Sequence, residues 1–162
     1  MEFKLEALKI HKPDDANIII GQAHFIKSAE DIYEAVTGTA AHAKFGLAFC
    51  EASGKCLVRV EGNDAGLQRI AADNALLVGA GHSFFIVMKD AYPINVLNAI
   101  KNVPEVCNIF CATANPLEVV VAVTSQGRGI LGVVDGFVPK GVEGEEDERW
   151  RKELLRKIGY KK

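Results

Sequence analysis

The sequence predicts a single mixed α/β domain, in which one mixed sheet of hairpins and crossovers carries helices packed on it. Three observations support this. Two-residue alternation and short apolar runs interleave with three- and four-residue spacing along the chain, so strand and helix signals are mixed rather than segregated. The chain has 162 residues, close to the usual size of one domain and enough to bury roughly two-thirds of its extended surface. No segment repeats, and no composition shift appears before residue 140. Residues 1–140 read as the body; 141–162 read as an acidic link and a C-terminal docking helix of the same domain.

Phe3, Leu5 and Ala7 alternate with Lys4 and Glu6 before Leu8 and Ile10 take over the apolar parity, which predicts a strand bulged near the switch. Pro13-Asp14-Asp15 is a turn, and the isoleucine run inside 17–22 is a buried strand. Ser28-Ala29-Glu30-Asp31 resembles a capping box opening a helix that ends near Gly38. Strands at 45–50 and 57–60 form a hairpin around Ser53-Gly54, and Asn63 is placed to cap a helix stopped by Gly79. Residues 83–89 form a strongly apolar strand. Pro93 suits the first turn of a helix through Ile100, since its missing N–H has no partner to lose there. Strands follow at 106–113 and 117–124, parted by Asn115-Pro116, and the turn Gln126-Gly127-Arg128-Gly129 leads into another at 130–134. The last helix carries Glu145/Arg149, Glu148/Lys152 and Glu153/Lys157 pairs in favourable order and a narrow stripe of Trp150, Leu154 and Ile158, suited to docking on the body or on a neighbouring subunit.

Hydrophobic residues make up 49% and charged residues 25% of the chain, with a net charge of −2. Lys and Arg are scattered, which argues against nucleic acid as the partner. The apolar runs are too short to span a membrane, and the acidic, alternating opening Met1-Glu2-Phe3-Lys4-Leu5-Glu6 does not read as a secretion signal. Cys50, Cys56, Cys107 and Cys111 form no C-x-x-C pair and have no histidine at finger-like spacing, so buried thiols in a cytoplasmic protein are expected rather than zinc. Cys107 and Cys111 should share the core face of one strand. Cys50 and Cys56 flank a turn, which leaves a disulfide open without favouring it.

Standard phosphate signatures are missing. A Walker loop ending at Gly54-Lys55 would need glycine where Phe49 stands. Gly127-Arg128-Gly129-Ile130-Leu131-Gly132 fits G-x-G-x-x-G, but Val133-Val134 extends a strand instead of opening a helix, and no acid is placed for a ribose. As a turn with exposed amides plus Arg128, it remains a candidate phosphate contact; a hairpin with a solvated arginine is the plain structural alternative.

Several segments, taken together and in order, resemble the adenosine-specific kinase family. They are 21–27 (GQAHFIK), 45–54 (FGLAFCEASG), 61–64 (EGND), 79–82 (GAGH), 90–98 (DAYPINVLN), 110–116 (FCATANP) and 126–129 (QGRG). Two departures touch only a cap and a loop: Ser28 stands where Thr is expected, and the Ala-rich stretch 37–44 with His42 stands where a Pro-Gly turn is expected. The resemblance implies binding of adenosine or an adenine nucleotide, phosphoryl transfer, a histidine able to carry phosphate, and a small homo-oligomer, a trimer or a multiple of it; ATP or another phosphoryl donor is then expected, with Mg²⁺ to offset the charge. A non-catalytic oligomeric adenine-nucleotide sensor is the alternative.

His24 leads the candidates. It follows the 18–21 strand and precedes a helix start, flanked by Gln22 and Lys27. A neutral imidazole can attack phosphorus, while the lysine and the helix N-terminus offset phosphate charge. His82, after glycines at a strand start, is the rival; a histidine in isolation is more often structural, and His11 and His42 read as surface loop residues. Glu51, Asp90 and Asp135 stand at strand ends, where each can hold Mg²⁺ or orient an imidazole. Asn95, Asn98, Thr113 and Asn115 suit an adenine edge or ribose hydroxyls, although turn and cap roles explain such residues equally well. Phe49 and Tyr92 are candidate stacking partners for adenine, with core packing as the default for both.

Overall fold

The computed structural model describes residues 3–162. Met1 and Glu2, which open the stretch read against a secretion signal, lie outside the described residues. In chain order the elements are β1 (Lys4–Lys9), β2 (Asn17–Ala23), α1 (Ser28–Thr39), β3 (Lys44–Cys50), β4 (Val58–Gly62), α2 (Ala65–Val78), β5 (Ser83–Lys89), α3 (Pro93–Lys101), β6 (Val106–Thr113), β7 (Leu117–Val123), β8 (Arg128–Asp135) and α4 (Glu145–Lys157).

The mixed α/β class is as expected, but the strands divide into two antiparallel sheets instead of one mixed sheet. Five strands lie in the order β4-β3-β5-β2-β6 and three in the order β1-β7-β8. Among the described residues, the one parallel contact outside the named strand pairs is the bridge between Ala80 and Arg128. β1 pairs with β7, over 100 residues later, in unbroken register from Lys4↔Val123 to Lys9↔Glu118. No bulge occurs there. The parity switch instead reflects two apolar faces, with Leu8 turned toward the core and Leu5 left exposed.

The larger sheet is the middle layer. On one face Ile19, Phe45, Leu47, Phe49, Phe84, Ile86 and Met88 meet α1 and α3. On the other, Ile18, Ile20, Ala48, Phe85 and Val87 meet α2 and the small sheet. β3 and β5, central and covered on both faces, therefore read as continuous apolar runs. α2 lies so close to β3 that a Cβ on Gly46 would overlap backbone atoms of Leu67 and Gln68. Gly46→Ala should therefore destabilise the fold by about 2–3 kcal/mol. An unchanged thermal melt would contradict this packing.

Local details differ from expectation. Asp64, not Asn63, caps α2 by accepting from the Leu67 amide, while Asn63 ties the Ala43 and Phe45 backbone. Cys107 is exposed and Cys111 buried, because the β2–β6 register shifts twice and breaks the parity of β6. Burial pushes the Cys111 thiol up to about 12. All four thiols are free, so Cys50 and Cys56 form no disulfide. In α4, Glu148–Lys152 is paired as expected, and Arg151 bonds Glu143. No residue of α4 is buried; Trp150 on it and Ile158 at its C-cap are both exposed.

Candidate functional site

A cleft of about 760 Å³ opens where the C-terminal end of α2, the β3–β4 loop and the β7–β8 turn converge. Glu51, Gly79, Gly81, Thr124 and Arg128 are among its lining residues. Gly79 ends α2 in the left-handed conformation at φ +62°, which glycine adopts without a Cβ penalty, and so turns the chain into the cleft wall. Arg128 spans the cleft's edge: Nη1 donates to the Leu77 carbonyl at 3.0 Å, and Nη2 lies 3.5 Å from the Glu6 carboxylate. Gly81, Arg128 and Gly129 also line a small recess of about 70 Å³ that includes Gln22. The arginine thus stands between the large cleft and the end of β2.

The β7–β8 turn is less open to anions than its glycines suggest. Thr124 Oγ1 accepts from the Gln126 and Gly127 amides, at 3.2 and 3.3 Å. The guanidinium of Arg128, rather than these amides, is therefore the group on this turn that could meet an anion.

His24 sits just beyond β2 and extends its pairing, its N–H donating to the Glu105 carbonyl at 3.0 Å. Gln22 and His24 are exposed and Ala23 is buried, which puts the two polar residues on one side of the strand. The expected capping box at Ser28 is absent. Ser28 is buried, and its hydroxyl donates to the Phe25 carbonyl. The amides of residues 28–31 are all taken by carbonyls of Phe25, Ile26 and Lys27. Among the described residues, the unbonded amides of this helix start are those of Phe25, Ile26 and Lys27, immediately after His24. The positive end of α1 is thus presented one turn earlier than the sequence implied.

Lys27 is not free. Its ammonium is held first by Asp31 and then by Glu105, at 3.1 Å from the latter, and both raise its pKa. Glu105 is 6% exposed, and its Oε2 has no partner among the described residues. A residue between a helix and a strand carries no sequence pattern that marks it as a buried acid, so sequence reasoning missed it.

His82 lies at the same end. It has φ +62°, stacks on Phe49 with ring centroids 5.8 Å apart, and accepts the Ala23 N–H on its carbonyl. Phe49 is fully buried beneath it and offers no face to a base. The end of the sheet therefore gathers Gln22, His24, Lys27, Glu51, His82 and Arg128.

The remaining candidates lie elsewhere. Thr113 and Asn115 both donate to Asp135 Oδ1, at 2.7 and 3.0 Å, which ties the ends of β6 and β8 together. Asp90 forms an exposed turn at φ +60°. Asn95 accepts the Tyr92 N–H as a helix cap, and Asn98 is exposed on α3. Asp90, Thr113, Asn115 and Asp135 occupy the opposite end of the strands, roughly 17–20 Å away at the usual rise per residue.

No group of three potential ligands able to hold a metal occurs among the described residues. Asp135 is occupied by Thr113 and Asn115, and Glu51 by Leu57 and Arg59. One carboxylate oxygen of each is thus engaged, and a Mg²⁺ that arrives on a nucleotide's phosphates needs no cluster of protein ligands.

Residues 8–161 match the family model described as adenosine specific kinase. The chain belongs to the adenosine-specific kinase family. The fold is similar to the crystal structure of PH1918 protein from Pyrococcus horikoshii OT3, with a TM-score of 0.95, 46% identity and 99% of each chain covered. Among curated proteins, no sequence matches this chain. No helix of the described residues is long and apolar enough to cross a membrane.

In this adenosine-specific kinase family member, Glu51 is a rigid feature of the cleft. Its Oε2 accepts from the Leu57 amide at 3.1 Å and from Arg59 Nη2 at 2.9 Å. The Leu57 amide, and then Arg59, hold the carboxyl below its ordinary value of 4.5 against the opposing effect of desolvation. A carboxyl depressed in the fold adds stability above its unfolded pKa, and that stability is lost as pH falls through the folded value. Glu51→Gln should therefore melt below the wild type at neutral pH, with the gap closing as the medium is acidified past the ordinary value of 4.5. A gap independent of pH would show that these contacts do not favour the ionised form.

Proposed function

We propose that the chain binds adenosine or an adenine nucleotide in the cleft walled by Glu51, Gly79 and Arg128, and transfers a phosphoryl group by way of His24. The observation that carries this reading is the placement of His24. It is directly followed by three unbonded amides at the start of α1 and lies on the Gln22 side of β2, which adjoins the cleft across Arg128. An imidazole nitrogen of His24 attacks the γ-phosphorus of ATP. The bond from phosphorus to the bridging oxygen breaks, and ADP leaves with its electron pair. The 5′-hydroxyl of adenosine then attacks the phosphohistidine. The N–P bond returns its electron pair to the ring, and the hydroxyl proton passes to solvent. The amides of Phe25, Ile26 and Lys27 supply fixed donors to the transferring phosphoryl oxygens, and Arg128 holds the nucleotide's phosphates. Mg²⁺ enters this scheme as the companion of ATP rather than as a resident of the fold.

One observation favours the non-catalytic sensor. Lys27 is neutralised by Asp31 and Glu105, so the acids beside His24 work against a phosphate there. Turnover separates the readings: incubation with ATP, Mg²⁺ and adenosine should yield ADP and AMP in step. Binding of adenosine without any ADP would favour the sensor.

The same reading places the protein in the cytoplasm, where its four free thiols stay reduced, and gives it a homotrimeric or larger assembly. Support for assembly comes from the unburied α4 stripe and from the outer face of the small sheet, where Leu5, Leu131 and Val134 are exposed, with Phe137 and Val138 beyond it. Truncation at Gly141 should reduce the mass or melting temperature of the oligomer in light scattering and thermal melts. A truncated chain that keeps both would assign α4 to its own subunit.

A further inference from the structure

Within the cleft, Glu51 presents a chemistry that the phosphate contacts do not use. Oε2 is committed to Leu57 and Arg59, whereas Oε1 accepts from no group among the described residues. Oε1 lies over the β3–β4 loop, 3.7 Å from where a Cβ on Gly54 would stand. Glu51 lines the cleft with its side chain 15% exposed, and the two bonds on Oε2 leave Oε1 as the oxygen open to a ligand. A carboxylate accepts and does not donate, and it repels phosphate. A neutral ligand group that meets Oε1 must bring N–H or O–H donors.

Glu51 and Arg128 are also close through the backbone. A Cβ on Gly81 would lie 3.0 Å from the Cβ of Ala52, next to Glu51, and Ala80 bridges Arg128. The acceptor and the guanidinium are therefore separated by about two strand spacings, on the order of 10 Å between backbones, and both residues line the cleft. That span fits the ribose of a nucleotide, whose vicinal hydroxyls lie one sugar away from its 5′-phosphate. The exocyclic amine of adenine lies a full base further on. Two lone pairs on Oε1 also match two adjacent hydroxyl donors better than one amine hydrogen.

Resting on the proposed adenosine site, we infer that Glu51 is the residue that selects ribose: Oε1 accepts from the 2′- and 3′-hydroxyls, and the clamp by Leu57 and Arg59 keeps it aimed at them. This assigns Glu51 to sugar recognition in place of metal binding or imidazole orientation. A buried-edge acceptor left without its donors disfavours the ligand that lacks them, which is how such sites reject deoxy analogues.

Calorimetry of adenosine, 2′-deoxyadenosine and 3′-deoxyadenosine on the wild type and on Glu51→Gln and Glu51→Ala tests this. The wild type should prefer adenosine over each deoxy analogue by about tenfold or more, and both variants should bring the ratios to within about threefold of unity. Because the ratio compares ligands on one protein, a general loosening of the β3–β4 loop lowers every affinity without mimicking the result. Adenosine binding with ratios unchanged in the variants overturns the role of Glu51 and leaves the adenosine site standing. A wild type that binds none of the three nucleosides overturns both.

Discussion

His24→Ala is expected to abolish acid-labile phosphate on the protein after incubation with ATP, while His82→Ala retains it. The nucleophile has no substitute in this scheme, so the phosphoryl turnover rate should fall by at least about 10³-fold, comparable to the loss of other covalent nucleophiles. The geometry behind the preference is specific. The residues just after His24 carry three amides without acceptors, and α1 starts there. The ring of His82 is stacked on Phe49, and its backbone is tied on both sides, its N–H to the Cys50 carbonyl and its carbonyl to the Ala23 amide. Mass spectrometry under alkaline conditions reads the result. Phosphate on His82 alone, or undiminished labelling in His24→Ala, would reverse the assignment. An active protein that never carries phosphate would favour direct transfer between bound ligands.

Arg128→Met is expected to weaken AMP binding by about 10- to 100-fold while leaving adenosine within about threefold, since a charge-assisted hydrogen bond contributes on the order of 1.5–3 kcal/mol. Two features make the split diagnostic. Arg128 is the guanidinium on the cleft wall, and the turn amides of Gln126 and Gly127 are already engaged by Thr124. Arg128 also anchors the turn through Leu77 and Glu6. Equal losses for AMP and adenosine would therefore mean that the arginine shapes the cleft without touching phosphate.

Strand and helix periods made the element order legible, but not which ends of the strands meet. Glu51, Asp90 and Asp135 each stand at the carboxyl end of a strand, and in a parallel sheet such ends collect on one side. In antiparallel sheets they alternate. β2 and β3 finish at the same end of the sheet as the cleft, which puts Gln22, His24 and Glu51 at that end, whereas β5, β6 and β8 finish at the other end with Asp90, Thr113 and Asp135. Arg128 joins the cleft from the start of β8, through a bridge to Ala80 that spans 48 residues of sequence. The pairing of β1 with β7 is equally non-local, and it is what removes three strands from the expected single sheet. Lys27 shows the limit on side-chain chemistry. Its spacing from His24 was legible, but its neutralisation by Glu105 depends on a loop 78 residues away.

The central claim is that adenosine occupies the end of the sheet where Glu51, Arg128 and His24 converge. Backbone amide shifts recorded while adenosine is titrated into the labelled protein test it most directly. Saturable shifts are expected at Glu51, Ala52, Gly79, Gly81 and residues 124–129, reaching Gln22 and His24 when AMP replaces adenosine. Shifts confined to Asp90, Asn95, Thr113, Asn115 and Asp135 would place the nucleoside at the opposite end and contradict it.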